Sequence, residues 1–176
     1  IKIEPDRWYY WADRLGLLVW QDMPSGGNDT PDARKNFSSE WQRLIDARYN
    51  HPSIVMWVPF NEGWGQPDAA GTREVAEWTA RYDPTRLVNN TSGWDDAGAG
   101  HVADVHQYPG PSMPALERGR AAVLGEFGGN GEQRVMGNYG ASAEQYGWLL
   151  ETVQHQADGF HDIDRSGKDT GFEIED

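Results

Sequence analysis

Apolar and polar positions follow two rhythms along this chain, one of amphipathic helices and one of short covered strands. Trp8, Trp11 and Leu15 recur at helical spacing between Glu4-Pro5-Asp6 and Gly16, which predicts a helix over roughly 6–15 with Pro early and an acid in its first turn. Leu17 to Trp20 reads as a short strand that runs into Gln21-Asp22-Met23-Pro24 and a polar loop. Trp41, Leu44, Ile45 and Arg48 share one face of a second helix, Phe37 to Tyr49, which hands over at His51-Pro52 to the run SIVMWVPF at 53–60. That run is almost free of polar residues, as is a strand covered on both faces in a parallel sheet. A helix over about 69–82 follows, with Val75, Trp78 and Thr79 inward and Asp83-Pro84 closing it. Strands are then expected at 86–89, at 102–106 and from Ala121, with a short helical piece near 113–118. Ala143, Tyr146, Leu149, Leu150 and Val153 predict an amphipathic helix over 141–156. The alternation is that of a parallel βα array, although the stretch between 89 and 102 is too short for a full crossover helix. About five strands, each ending on polar or aromatic residues, make the active face of a βα barrel that lacks strands at its start.

Two of these strands end on a glutamate. SIVMWVPF breaks into Asn61-Glu62-Gly63, and AAVLG breaks into Glu126 between Gly125 and Gly128-Gly129. The carboxyl ends of strands are where α/β folds bind ligands. A capping glutamate is the plainer reading of either site alone. No Lys or Arg lies between Ala121 and Gln133, so a local ion pair does not account for Glu126. Asp22 is a third strand-end carboxylate.

Composition narrows the classes. With 176 residues, 38% hydrophobic and 12% aromatic, the chain is long enough for one domain with a real core. A net charge of −13 argues against nucleic acid and against anionic membrane surfaces, both of which require clustered Lys and Arg. No apolar run reaches the ~20 residues of a membrane helix. Cysteine is absent, which removes disulfides, thiolate metal sites and cysteine nucleophiles. Nine Trp and seven Tyr suit stacking on sugar rings, although most of the Trp residues are expected in the core. The chain opens on Ile1-Lys2-Ile3 rather than Met and is expected to be a piece of a longer polypeptide, whose remaining domains would be its partners.

Two carboxylates from different strands, with amide and aromatic neighbours, suit glycosidic bond cleavage, in which one acid protonates the leaving oxygen and one carboxylate attacks the anomeric carbon. At this point the stretch HPSIVMWVPFNEGWG, with GEFGG some sixty residues later and KIEPDRWYYWADRLGLLVWQDMP before it, resembles glycoside hydrolase family 2, the β-galactosidase, β-glucuronidase and β-mannosidase group. The resemblance spans roughly residues 1–139. It implies an α/β fold, a (β/α)8 TIM barrel that is incomplete here, with strands 3 to 7 recognisable, the Asn-Glu strand the fourth and the Gly-Glu-Phe strand the seventh. It also implies a retaining, β-galactosidase-like hydrolysis of terminal β-linked sugars. Glu62 would be the acid/base, Glu126 the nucleophile, Asn61 a hydrogen-bond partner of the sugar 2-hydroxyl, and Tyr108 the residue that holds the nucleophile. Asp22, His106, Trp94 and Trp64 would line the carbohydrate subsite. No cofactor is implied. An endo-acting barrel glycosidase of the same clan and a non-catalytic carbohydrate-binding fragment remain alternatives.

Residues 1–158 are read as the barrel fragment and 159–176 as an acidic tail. In that tail Asp162, Asp164, Ser166, Gly167 and Glu173 fall at positions one, three, five, six and twelve of a calcium loop, but Asp169 stands where an apolar residue pairs loops and no exit helix follows. No catalytic metal is expected elsewhere, because His51, His101, His106, His155 and His161 are not spaced as a ligand cluster.

Overall fold

A computed structural model describes residues 1–108 and 111–127 together with the backbone of strands at 132–143 and 146–157. Three helices and five parallel strands come first: α1 (Asp6–Leu15), β1 (Val19–Asp22), α2 (Pro31–Arg48), β2 (Ile54–Val58), α3 (Ala69–Tyr82), β3 (Leu87–Val88), β4 (Val102–Gln107) and β5 (Ala121–Phe127). Strands β6 (Glu132–Ala143) and β7 (Tyr146–Ala157) follow as an antiparallel pair.

Local chemistry sets the helix ends. Thr30 caps α2 by accepting the Ala33 N–H at 3.1 Å, with Pro31 in the first position where its missing N–H costs nothing. Asp68 caps α3 by accepting the Gly71 N–H at 2.8 Å. The expected bounds of α1 and α3 agree with the structure, whereas α2 begins six residues earlier than its apolar spacing suggests, at Pro31 instead of Phe37. Periodicity marks only the buried part of a helix, and the first turns of α2 are polar and mostly exposed.

Strands β1, β2 and β3 form one parallel sheet in that order. Strands β4 and β5 pair in parallel in a second sheet, which β6 and β7 extend antiparallel. The sheets meet where the His101 N–H donates to the Val88 carbonyl at 2.8 Å. The central strand β2 is buried on both sides, as its unbroken apolar run requires. Ile54 and Trp57 pack with Tyr9, Phe37, Trp41, Leu44, Ile45 and Phe60, while Met56 and Val58 pack with Val102 of β4 and Val123 of β5. Trp41 meets Trp57 edge to face at 6.0 Å, an arrangement that adds about 0.5–1.5 kcal/mol to the burial of both rings. Below it, buried Asp83 accepts hydrogen bonds from the Trp57 indole at 2.8 Å and the Arg86 guanidinium at 2.8 Å.

The barrel expectation is therefore met in part. Five parallel strands appear in barrel order, but the described strands lie in two sheets and do not close. Two expected helices are corrected. The 113–118 piece has no helical turn, and 141–156 falls on β6 and β7. The spacing of Tyr146, Leu149, Leu150 and Val153 fits a helix, but Tyr146, Trp148, Leu150 and Thr152 also alternate with β-favouring types, and the antiparallel pairing onto β5 decides between them. The 159–176 tail and its calcium-loop pattern lie outside the described residues.

Replacing Asp83 with Ala leaves the Arg86 charge and the Trp57 N–H without their buried partner. Such a break costs about 3–5 kcal/mol, read as a lowered midpoint in denaturant unfolding.

Candidate active site

The carboxyl ends of β2, β4 and β5 converge on one cluster of side chains. β2 delivers Asn61 and Glu62 one turn beyond its last paired residue, where the Glu62 N–H donates to the Ser92 carbonyl at 2.8 Å. Glu62 sits at φ 50, a left-handed conformation that costs a non-glycine residue roughly 1–3 kcal/mol and that persists where the surroundings over-determine it. β4 delivers His106 and Tyr108, and β5 delivers Glu126 in register with His106.

His106 is the hub. Its ring is buried, and Nδ1 lies 2.7 Å from Glu62 Oε1 and 3.7 Å from Glu126 Oε2. On the other side Nε2 lies 3.0 Å from Ser92 Oγ, and the Ser92 hydroxyl donates to Asp104 Oδ2 at 3.0 Å. The ring rests against the backbone of Gly93, whose φ of 89 and whose missing Cβ, which would stand 2.6 Å from Nδ1, both require glycine. Trp94 is half exposed, with its indole N–H donating to the His106 carbonyl at 3.1 Å and its ring edge-on to the imidazole. Tyr108 donates its hydroxyl to Glu126 Oε2 at 2.5 Å. Burial and this bond to the carboxylate hold the Tyr108 phenol well above its ordinary range, so that it stays a donor.

Asp104 lies behind the hub, buried between the sheets. It accepts from Asn89 Nδ2 at 2.9 Å, from the Ser92 hydroxyl, and from the Gly125 N–H at 2.8 Å, and a side chain at Gly125 would collide with it. Burial pushes its carboxyl up to about 6 against the pull of His106 and these three donors. Asp22, at the end of β1, has a side chain one-fifth exposed. Burial, with Glu126 and Asp104 nearby, pushes it up to about 6 against the pull of His106. Asn61 is buried, and its Oδ1 has no hydrogen-bond partner among the described residues.

The structure thus brings together Glu62, Glu126, His106, Tyr108 and Trp94, with Asn61 adjoining Glu62 and Asp22 within electrostatic reach. Trp64 stands apart on the loop after Glu62, two-thirds exposed, its carbonyl held by the Ser25 hydroxyl at 2.7 Å. Sequence reading placed His106 among substrate contacts, whereas here it bridges the two glutamates. It gives neither Ser92, at the end of the 86–89 strand, nor Asp104 a functional role. The alternation of Asp104 and His106 along a covered strand was the available signal, since inward polar residues at that spacing have to find each other. One atom from each of Glu62, His106 and Glu126 lies within 4.8 Å of the others, so the trio is also close enough to hold one cation in place of shared protons.

Comparison with known proteins gives these residues a context. The family described as Glycosyl hydrolases family 2, TIM barrel domain matches residues 4–145. A β-mannosidase B of Aspergillus clavatus is 38% identical over 135 aligned residues, covering 60% of this chain and 16% of that protein. A β-glucuronidase of Bacteroides fragilis is 30% identical, covering 49% and 14%. A β-galactosidase of Klebsiella pneumoniae is 31% identical, covering 53% and 10%. The chain spans a sixth or less of the length of these curated relatives.

A carboxyl whose folded pKa is raised binds its proton more tightly in the fold, so it contributes stability below its unfolded pKa near 3.8 and loses it as pH rises through about 6. Asp22→Asn in the intact protein should therefore raise the melting temperature relative to wild type at pH 7 and leave it nearly unchanged at pH 3.5. The expected relief is about 3 kcal/mol at most, checked by melting both proteins across that pH range.

Proposed function

The chain belongs to the TIM-barrel domain of glycosyl hydrolase family 2, and from that premise we propose that it is the catalytic core of a retaining β-glycosidase acting on terminal β-linked sugars. Glu62 is the acid/base and Glu126 the nucleophile. The observation that carries this reading is the spacing of the two glutamates about His106, with an oxygen of each within 4.8 Å. Retaining enzymes need their carboxyl groups about 5–5.5 Å apart so that one can attack the anomeric carbon directly, and inverting enzymes need about 6.5–9.5 Å to admit a water.

The roles follow from the contacts. In the first step Glu126 attacks the anomeric carbon while Glu62 gives its proton to the leaving oxygen, producing a glycosyl–enzyme ester and a free alcohol. In the second, Glu62 takes a proton from water, which displaces Glu126. The Tyr108 hydroxyl, bonded to one oxygen of Glu126, leaves the other oxygen for attack and turns the carboxylate toward the sugar. His106 holds Glu62 in line and shares its proton. Asn61 supplies a buried hydrogen-bonding group to a sugar hydroxyl, and Trp94, Asp22 and Trp64 are the proposed subsite walls. The relatives' names offer mannosides, glucuronides and galactosides as candidate substrates, with the β-galactosidase-like choice one of the three.

The test is a panel of nitrophenyl β-glycosides hydrolysed by the intact protein and by two variants. Glu62→Ala should slow the panel about 10²–10⁴-fold. Glu126→Ala should abolish turnover and, with added azide, release a glycosyl azide of inverted anomeric configuration. An unaffected Glu126→Ala would contradict the assignment.

A further inference from the structure

We propose that Ser92 and Asp104 are positioning residues that fix which nitrogen of His106 carries the hydrogen, so that Nδ1 is kept as the proton partner of Glu62. This rests on the acid/base reading of Glu62.

Proton bookkeeping along the chain of contacts gives the assignment. Every hydrogen bond drawn to the Asp104 carboxylate comes from a donor: the Asn89 amide, the Ser92 hydroxyl and the Gly125 N–H. Asp104 is therefore placed as an acceptor with both oxygens occupied. A serine hydroxyl has a single hydrogen, and Ser92 spends it on Asp104 Oδ2, so at 3.0 Å from His106 Nε2 the Ser92 oxygen can only accept. The hydrogen between them then belongs to Nε2. In the neutral ring this leaves Nδ1 bare, 2.7 Å from Glu62 Oε1, where it accepts from a protonated Glu62. In the charged ring Nδ1 carries a hydrogen and donates to the Glu62 carboxylate. In both states the mobile proton lies on one line, between Glu62 and Nδ1.

The opposite tautomer would set a hydrogen on Nδ1 against a protonated Glu62 and would leave Nε2 to compete with Asp104 for the one serine hydrogen. The ring itself cannot turn to escape the arrangement. It is buried, seated on Gly93, and its backbone is tied to Trp94. Asn89 and Gly125 hold Asp104 from two further elements, so removing the Ser92 hydroxyl cuts the link to His106 while Asp104 keeps its other partners. Second-layer groups that hold a histidine tautomer in this way are familiar around acid–base and metal sites.

The test separates this role from a purely structural one by the leaving group. Expulsion of phenol needs the acid proton, and expulsion of 2,4-dinitrophenol does not. In the intact protein Ser92→Ala should lower kcat/KM for the phenyl glycoside about tenfold and for the dinitrophenyl glycoside less than about twofold, and Ser92→Thr, which restores a hydroxyl, should recover the phenyl rate. With ¹⁵N-labelled histidine, the His106 resonances, identified by their loss in His106→Gln, should report a hydrogen on Nε2 in the wild type and a changed pattern in Ser92→Ala. Equal losses on both glycosides overturn the proposal, as does a wild-type His106 with a bare Nε2, a readout that does not depend on the Ser92 variants folding. Glu62→Ala is the control for the underlying reading. If it too lacks the leaving-group dependence, the acid/base assignment of Glu62 has failed. If it shows the dependence and Ser92→Ala does not, only the positioning role has failed.

Discussion

Two carboxylates within 4.8 Å of each other repel, and the rest of the site is built to hold them there. At an effective dielectric of about 20 the repulsion between two full charges at that range is about 3 kcal/mol. A buried imidazole facing both oxygens offsets it, because it can share a proton with Glu62 and face Glu126 at the same time. This is why His106 needs so much support. Its ring touches Glu62 beyond the end of β2 and faces Glu126 on β5, and three successive residues of the loop after β3 fix it: Ser92 by bonding Nε2, Gly93 by making room, and Trp94 by gripping its carbonyl.

The fold serves that constraint. A parallel sheet brings successive strand ends to one side, and the short loop from β3 to β4 places Ser92, Trp94, Asp104 and His106 within one corner. Glu62 adopts its left-handed backbone at the same corner, tied to Ser92 through the main chain. Nearby, the Arg120 guanidinium grips Asp96 with two hydrogen bonds, at 2.8 and 2.6 Å. After the opposing cost of burial, the Arg120 hydrogen bonds hold the Asp96 carboxyl down at about 2, and they pin the loop that carries Trp94.

Much of this was legible in the sequence, and the reasons differ by residue. Glu62 and Glu126 stand out together, because two separate apolar runs each end on a glutamate, which a capping role explains for either one alone but not for the pair. Tyr108 followed from the family resemblance, and its hydroxyl does meet Glu126. The bridging place of His106 was not legible, because nothing in the spacing says that residues 44 positions apart share a proton. Ser92 and Asp104 had no legible role for the same reason, since a buried polar network is written in three-dimensional adjacency and leaves only isolated polar letters in a strand. The helix expected over 141–156 failed where apolar spacing fitted both periods, and pairing with an existing strand, which sequence does not display, selected the strand.

The central claim is that Glu126 forms a covalent bond to the sugar. The most direct measurement is incubation of the intact protein with 2-deoxy-2-fluoro β-glycosides carrying a good leaving group, followed by mass spectrometry of the peptide from Ala121 to Arg134. The account predicts inactivation with a mass increase of one fluorosugar on that peptide, placed at Glu126 by fragmentation. A fluorosugar on any other carboxylate, or turnover with no labelled intermediate and an inverted product, would contradict it.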